Sequence, residues 1–236
     1  MGTCRLCLKE EKLCNSHILP EFFYLDIYED HRSLIISKEG EKVIQKGLRE
    51  YLLCQQCETK LSKYEKYAKE LIREIPNFSR DENLGLLYSK DIDYPKFKLF
   101  QLSILWRASI SSLMAFAQVN LGPHEEKIRR MLDEEDPGRT VDYGCFMFTF
   151  LKTELLKNII QSPIRLKKKL YSHIAYKFVT GNISWVYVVS SHNVPSILKE
   201  LFLQESGLLR IAIAHRDEYT EVLKIARNLH KIEQGS

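Results

Sequence analysis

The 236-residue chain has no internal repeat, which excludes a stacked solenoid, and no low-complexity segment. It also lacks a strong charge bias: 35 basic and 31 acidic side chains leave a formal net charge of +4. That falls well short of a dedicated nucleic-acid clamp but permits a polyanionic partner. An apolar leader is missing too, because residues 1–20 carry Cys, Lys, Glu and His where a hydrophobic signal core would stand. The expectation is a cytoplasmic protein, in which thiols stay reduced and paired cysteines signal metal or redox chemistry rather than disulfides. Only Leu99–Leu121 is long and apolar enough to raise the question of a membrane. Arg107 near its middle, with Gln101, Ser103 and Ser109 around it, argues against insertion, since a central Arg costs roughly 2.5–3.5 kcal/mol there. A buried helix and no membrane partner are expected, and the 44% hydrophobic content suits a packed globular chain.

Against these absences stand two CxxC knuckles, Cys4-Arg5-Leu6-Cys7 and Cys54-Gln55-Gln56-Cys57. Zinc takes four soft or borderline ligands in a tetrahedron, and each knuckle offers two thiolates from one tight turn. A structural Zn²⁺ on Cys4, Cys7, Cys54 and Cys57 is therefore expected. No strand–helix context surrounds a single pair, as a thioredoxin-like redox motif would need. Cys14 and Cys145 are left over as ordinary buried thiols.

The pattern divides the chain into a zinc-binding module over 1–76, a linker over 77–95 and an α+β domain over 96–236. After Cys57, Leu61, Tyr64, Ala68, Leu71, Ile72 and Ile75 recur at spacings of three and four, which predicts an amphipathic helix stopped by Pro76. Residues 77–95 mix polar, Gly and Pro signals. A central buried helix is expected from Lys96 to Leu121, then a second from Pro123 to about Asp136-Pro137-Gly138. Short β-branched and aromatic runs at Cys145–Phe150, Ile174–Val179, Trp185–Ser190 and Leu209–Ala214 predict a small, mainly antiparallel sheet. Thr180-Gly181-Asn182 reads as a hairpin turn. Helices over 195–205 and 217–231 flank the last strand, with Asp217 as N-cap.

The residues between the knuckles carry a resemblance. Asn15-Ser16-His17-Ile18-Leu19-Pro20 follows the first knuckle, and Leu52-Leu53-Cys54-Gln55-Gln56-Cys57-Glu58 opens the amphipathic helix. Together they resemble the zinc-containing branch of the HNH, or ββα-metal, endonucleases, over about residues 4–65. The resemblance implies a treble-clef module whose zinc staples a hairpin to a helix. It implies that His17 is the general base for attack of water on a phosphodiester, and that Mg²⁺ or Mn²⁺ is the catalytic cation, with Glu58 as a ligand. A neutral imidazole suits that role, since its ordinary pKa near 6.5 leaves it free at pH 7. The chain departs from the family at three positions. Ser16 stands where the family has Asp, Glu or His; Glu58 stands where it has His or Asn; and no Asn occurs between Ile18 and Leu53.

Arg165 with Lys167, Lys168 and Lys169 forms the one dense basic cluster, a candidate for phosphate contacts or else a charged edge. Glu65 lies two turns beyond Glu58, either as a supplementary ligand or on a solvated face, and Arg129-Arg130 reads as surface. His124, His192, His215 and His230 have no partner at ligand spacing. The function expected is HNH-type endonucleolytic cleavage of nucleic acid, DNA in preference to RNA, in a defence or mobile-element setting. The alternative is a non-catalytic zinc module that binds nucleic acid or a protein partner, the latter through 96–236.

Overall fold

A computed structural model of the chain describes residues 1–24, 33–37, 40–44, 47–150, 159–166, 170 and 172–214. The fold is α+β. At the N-terminus a two-stranded ribbon of β1 (Gly2–Thr3) and β2 (Glu10–Glu11) closes the first knuckle. Strand β3 (Leu13–His17) then pairs antiparallel with β6 (Arg49–Cys54), with Leu13 opposite Cys54 and His17 opposite Arg49. Helix α1 (Gln55–Glu74) follows directly, and Cys54 is its N-cap residue. Its face of Leu61, Tyr64 and Ala68 is buried as the spacing predicts. The helix gives way to a 3₁₀ turn, Ile75–Asn77, at Pro76.

The larger part of the chain forms a nine-stranded sheet in the order β5-β4-β10-β11-β12-β9-β13-β8-β7. Its strands are β4 (Ser33–Ser37), β5 (Gly40–Ile44), β7 (Ser79–Asp81), β8 (Leu86–Ser89), β9 (Cys145–Thr149), β10 (Ile159–Arg165), β11 (Ile174–Thr180), β12 (Ile183–Val189) and β13 (Leu209–Ile213). Among the described strands only β10–β4 and β13–β9 pair in parallel, so the sheet is mainly antiparallel as expected. It is not small, because strands enter it from outside the expected domain. β4 and β5 come from the N-terminal part that carries the two knuckles, and β7 and β8 occupy the stretch expected as a linker. Ser79-Arg80-Asp81 is a polar strand at the sheet's edge, so it carries no alternating apolar signal.

β12 explains how the layers stack. All seven of its residues are buried, which is why it reads as one continuous apolar run rather than an alternation. Trp185, Tyr187 and Val189 join the main core, which includes Phe97 and Phe100 of helix α2 (Tyr94–Ile110). Val186 and Val188 face the other way, onto Phe146, Val194, Leu198 and Phe202, around the short helix α4 (Ser196–Lys199).

α2 is buried nearly all round, as expected, but ends at Ile110 rather than Leu121. Ser111 turns to extended backbone at ψ 137°, and the Ser111 hydroxyl and the Ser112 hydroxyl and N–H all bond Glu50 on β6, at 2.6–3.0 Å. The carboxylate on the hairpin thus offers these groups a better partner than another helical turn would. Helix α3 (Pro123–Asp133) starts at the expected proline. The helix expected over 195–205 is only the four residues of α4, and the one over 217–231 lies outside the described residues.

One cluster of buried apolar side chains runs from Cys4 and Leu6 through Leu61 and Phe100 to Trp185 and Ile211. Arg129 on α3, expected at the surface, is mostly buried and donates to the Leu6 carbonyl inside the first knuckle at 2.5 Å. Lys60 on α1 reaches back to the Asp133 carbonyl at 2.6 Å. The cysteine-bearing part is therefore tied to helix α3 of the expected second domain.

Candidate functional site

The four thiol sulfurs of Cys4, Cys7, Cys54 and Cys57 lie within 4.8 Å of one another, the one group among the described residues that could hold a metal ion. Three of these cysteines are buried and Cys7 is partly exposed. The β3–β6 pairing brings the two knuckles together across 47 residues of chain. The first knuckle closes through Leu8 N–H to the Cys4 carbonyl, at 2.9 Å, with Leu8 in the left-handed region at φ 61°. Burial pushes the Cys7 and Cys57 thiols up. At Cys4 the same penalty is outweighed by backbone N–H groups, Cys54 N–H at 3.3 Å among them, and the thiol is held below its ordinary value. A soft cation that replaces the thiol protons fits this cage of four sulfurs. Cys14 stands apart, half-buried, with its Sγ 3.5 Å from Gln55 Oε1, and Cys145 is buried in β9.

His17 ends β3. Its ring lies over Tyr24, with centroids 6.4 Å apart, and beside Gly47, where an added Cβ would come within 3.0 Å of both rings. Any larger residue there would require both rings to give by a few tenths of an ångström. Nε2 of His17 is buried without a hydrogen-bond partner, 3.8 Å from Glu21 Oε1, and Arg49 holds Glu21 at 3.1 Å. Burial first, and the Arg49 charge second, push the imidazole below its ordinary pKa. It is a neutral base at pH 7.

Behind His17 sits Arg107 of α2, fully buried. One nitrogen donates to the His17 carbonyl at 2.9 Å, another meets Glu65 of α1 at 2.6 Å, and Nε donates to the Ser103 carbonyl at 3.3 Å. A buried guanidinium must be paired in this way. Glu65, partly exposed, therefore spends its carboxylate on this arginine rather than on a metal site, and its charge is felt at His17. Arg107, Glu21 and Arg49 were not legible as site residues, and Glu65 was legible only as a supplementary ligand or a solvated face, not as the partner of Arg107. The one available signal was a charged residue inside an otherwise apolar helix, which demands a partner.

Ser16 points into the core. Its Oγ accepts the Leu53 N–H at 3.2 Å and donates to the Cys14 carbonyl at 3.4 Å, which ties β3 to β6. Glu58, in the first turn of α1, has a buried oxygen, Oε1, without a hydrogen-bond partner, and its charge is felt at Cys14. Among the described residues, no set of three His or carboxylate groups gathers around His17 or Glu58 as a ready-made hard-cation cage. Arg165 is exposed at the end of β10, an interior strand of the sheet, and Lys167, Lys168 and Lys169 lie outside the described residues. Among the described residues, no helix is long and apolar enough to cross a membrane.

Compared with models of known protein families, with curated proteins and with solved structures, the chain matches none.

Proposed function

We propose that this chain is an HNH-type endonuclease that hydrolyses phosphodiester bonds of nucleic acid, DNA in preference to RNA. One observation carries the reading: a neutral His17, on a hairpin beside a four-cysteine cluster, whose buried Nε2 makes no hydrogen bond. In this scheme Nε2 takes a proton from water as the water oxygen attacks phosphorus. The bond from phosphorus to the leaving oxygen breaks, and that oxygen leaves with the developing charge. Arg107 fixes the backbone of His17, and Glu21 faces the imidazolium that forms. Mg²⁺ or Mn²⁺ is expected as a requirement for turnover. Mg²⁺ is commonly held by one or two carboxylates together with substrate phosphates, so a preformed cage is not needed. The described residues supply no such cage.

The test is cleavage of plasmid and RNA in Mg²⁺ and in Mn²⁺. His17→Ala should lower the rate by about 10²–10⁴-fold while keeping zinc and fold, the usual size of a general-base contribution. Glu58→Ala should also slow cleavage, with partial recovery at higher metal concentration. Wild-type protein that leaves both substrates intact in every metal rejects the reading.

A second reading is favoured by Ser16, which stands where the family has a metal ligand but is spent on bonding β3 to β6. On that reading the chain is a zinc-bearing binding module. It would bind nucleic acid or a protein and cleave nothing.

A further inference from the structure

A cavity of about 360 Å³, to which His17 does not contribute, is not used by the hydrolysis. It lies between the C-terminal half of α1, the segment just after Pro20, and the β11–β12 turn. Phe22, Phe23 and Phe150 line it with aromatic rings, and Lys69 and Arg73 line it from the helix. Four residues apart, these two cations project from neighbouring turns of one helix face. Among the described residues neither makes an ion pair. The turn contributes Asn182, whose amide oxygen is buried and without a hydrogen-bond partner. A buried acceptor left in this state costs about 1–3 kcal/mol until a donor fills it.

Aromatic rings, one orphaned amide acceptor and two free cations describe a flat, donor-bearing ring attached to an anion. The volume falls within the roughly 300–1,000 Å³ of small-ligand sites. We propose that this cavity holds one nucleotide of a single-stranded nucleic acid, its base among the phenylalanines and against Asn182, its phosphate at Lys69 and Arg73. The choice of a nucleotide over other ring-bearing anions rests on the nuclease reading. Position supports it: Phe22 and Phe23 follow His17 by five and six residues, and Lys69 is one turn along α1 from Glu65, which Arg107 ties to His17. A base held here brings a strand to the segment that follows His17 in the chain, as stacking platforms with a charged backbone track do elsewhere.

The experiment is equilibrium binding to the full chain of dAMP, deoxyribose 5-phosphate, inorganic phosphate and a labelled single-stranded 12-mer of mixed sequence. None of the first three contains a scissile phosphodiester, so this readout is independent of cleavage. dAMP should bind at least about tenfold tighter than deoxyribose 5-phosphate, since base stacking alone is worth about 1–3 kcal/mol. The 12-mer should bind tighter still and compete with dAMP. Asn182→Ala, at a residue outside the left-handed region, should weaken dAMP about fivefold or more and leave deoxyribose 5-phosphate unchanged, with melting curves confirming the fold. Lys69→Ala with Arg73→Ala, both on the surface of α1, should weaken every ligand. It should also lower the salt slope for the 12-mer by about 0.7 for each phosphate no longer neutralised. Equal binding of dAMP and deoxyribose 5-phosphate overturns the base site, and a 12-mer no tighter than dAMP overturns the strand. Binding without cleavage sinks the nuclease reading alone, and cleavage without dAMP binding sinks this one alone.

Discussion

The two ends of the β3–β6 hairpin are held in different ways. At the Leu13–Cys54 end, four thiols from two knuckles converge, and each knuckle is shaped by its own tight turn. At the His17–Arg49 end nothing local suffices. His17 is fixed by Arg107, which arrives on α2 from 90 residues further on, and its ring space is cleared by Gly47. The first end is a cluster of four thiols that could hold a metal ion, each pair supplied by a short local segment. The second is a site assembled by the whole fold, so the candidate chemistry depends on the sheet and helices behind it. This difference can be broken or sharpened by experiment, beginning with the cage.

Cys54→Ser removes one of the four sulfurs and should abolish stoichiometric zinc, as metal analysis of the purified protein will show. In small zinc modules the metal supplies about 10–16 kcal/mol of apparent folding energy. Because Arg129 and Lys60 bond across the junction and one core runs through both parts, its loss should not stay local. Chelation of the wild type should unfold the chain in a single transition. Two separate transitions, with the sheet surviving intact, would show that the cage is energetically isolated after all.

At the other end, Glu65→Ala leaves the fully buried Arg107 without its carboxylate and should cost about 3 kcal/mol in denaturant melts, toward the low end for breaking a buried pair, because Glu65 is partly solvated. The double variant Arg107→Met with Glu65→Leu should cost clearly less than the two single changes together. If instead they add, the pair is not coupled and Arg107 is held by backbone carbonyls alone.

α2 carries a second buried cation, and it separates charge burial from charge pairing. Lys98 is fully buried, donates to the Tyr143 carbonyl at 3.2 Å, and has its pKa pushed down to about 8 by burial. A lysine depressed in the folded state binds fewer protons there than in the unfolded chain, whose value is near 10.4. Its contribution to stability is therefore unfavourable below pH 8 and is relieved as pH rises from about 8 to 10.4. Lys98→Met should be more stable than wild type at pH 7 by up to roughly 3 kcal/mol, and the gap should close by about pH 10. A gap that stays constant with pH would assign the effect to packing rather than charge.

The cage was legible because CxxC turns and ligand chemistry are local properties. So were α1, the Pro123 start of α3 and the four strands whose apolar runs are short and dense. Glu50 was not: it ends α2 early only because a hairpin strand lies beside Ser111 and Ser112. β7 escaped because an exposed polar strand has no apolar period to read. Glu65 and Arg107 each showed a charge, but their pairing exists only once α1 and α2 pack.

The smallest expected effect belongs to Ser16, which lies between the two ends. Its hydroxyl bonds Leu53 N–H and the Cys14 carbonyl, so it serves the hairpin rather than the ring of His17. Ser16→Ala should cost about 1 kcal/mol, since a buried N–H loses its acceptor while the strand pairing around it persists. Zinc content should be unchanged. If His17 acts alone as the base, cleavage by Ser16→Ala at a temperature where it is folded should match wild type within about twofold, because no proton in the scheme passes through the hydroxyl. Ser16→Asp sharpens the contrast: a carboxylate in this inward-facing slot is a buried charge without a cation beside it, and should cost more stability than Ser16→Ala. An Asp variant that is equally stable and cleaves faster would mean that the strand can turn the side chain toward His17, and that the two ends of the hairpin are less independent than their contacts indicate.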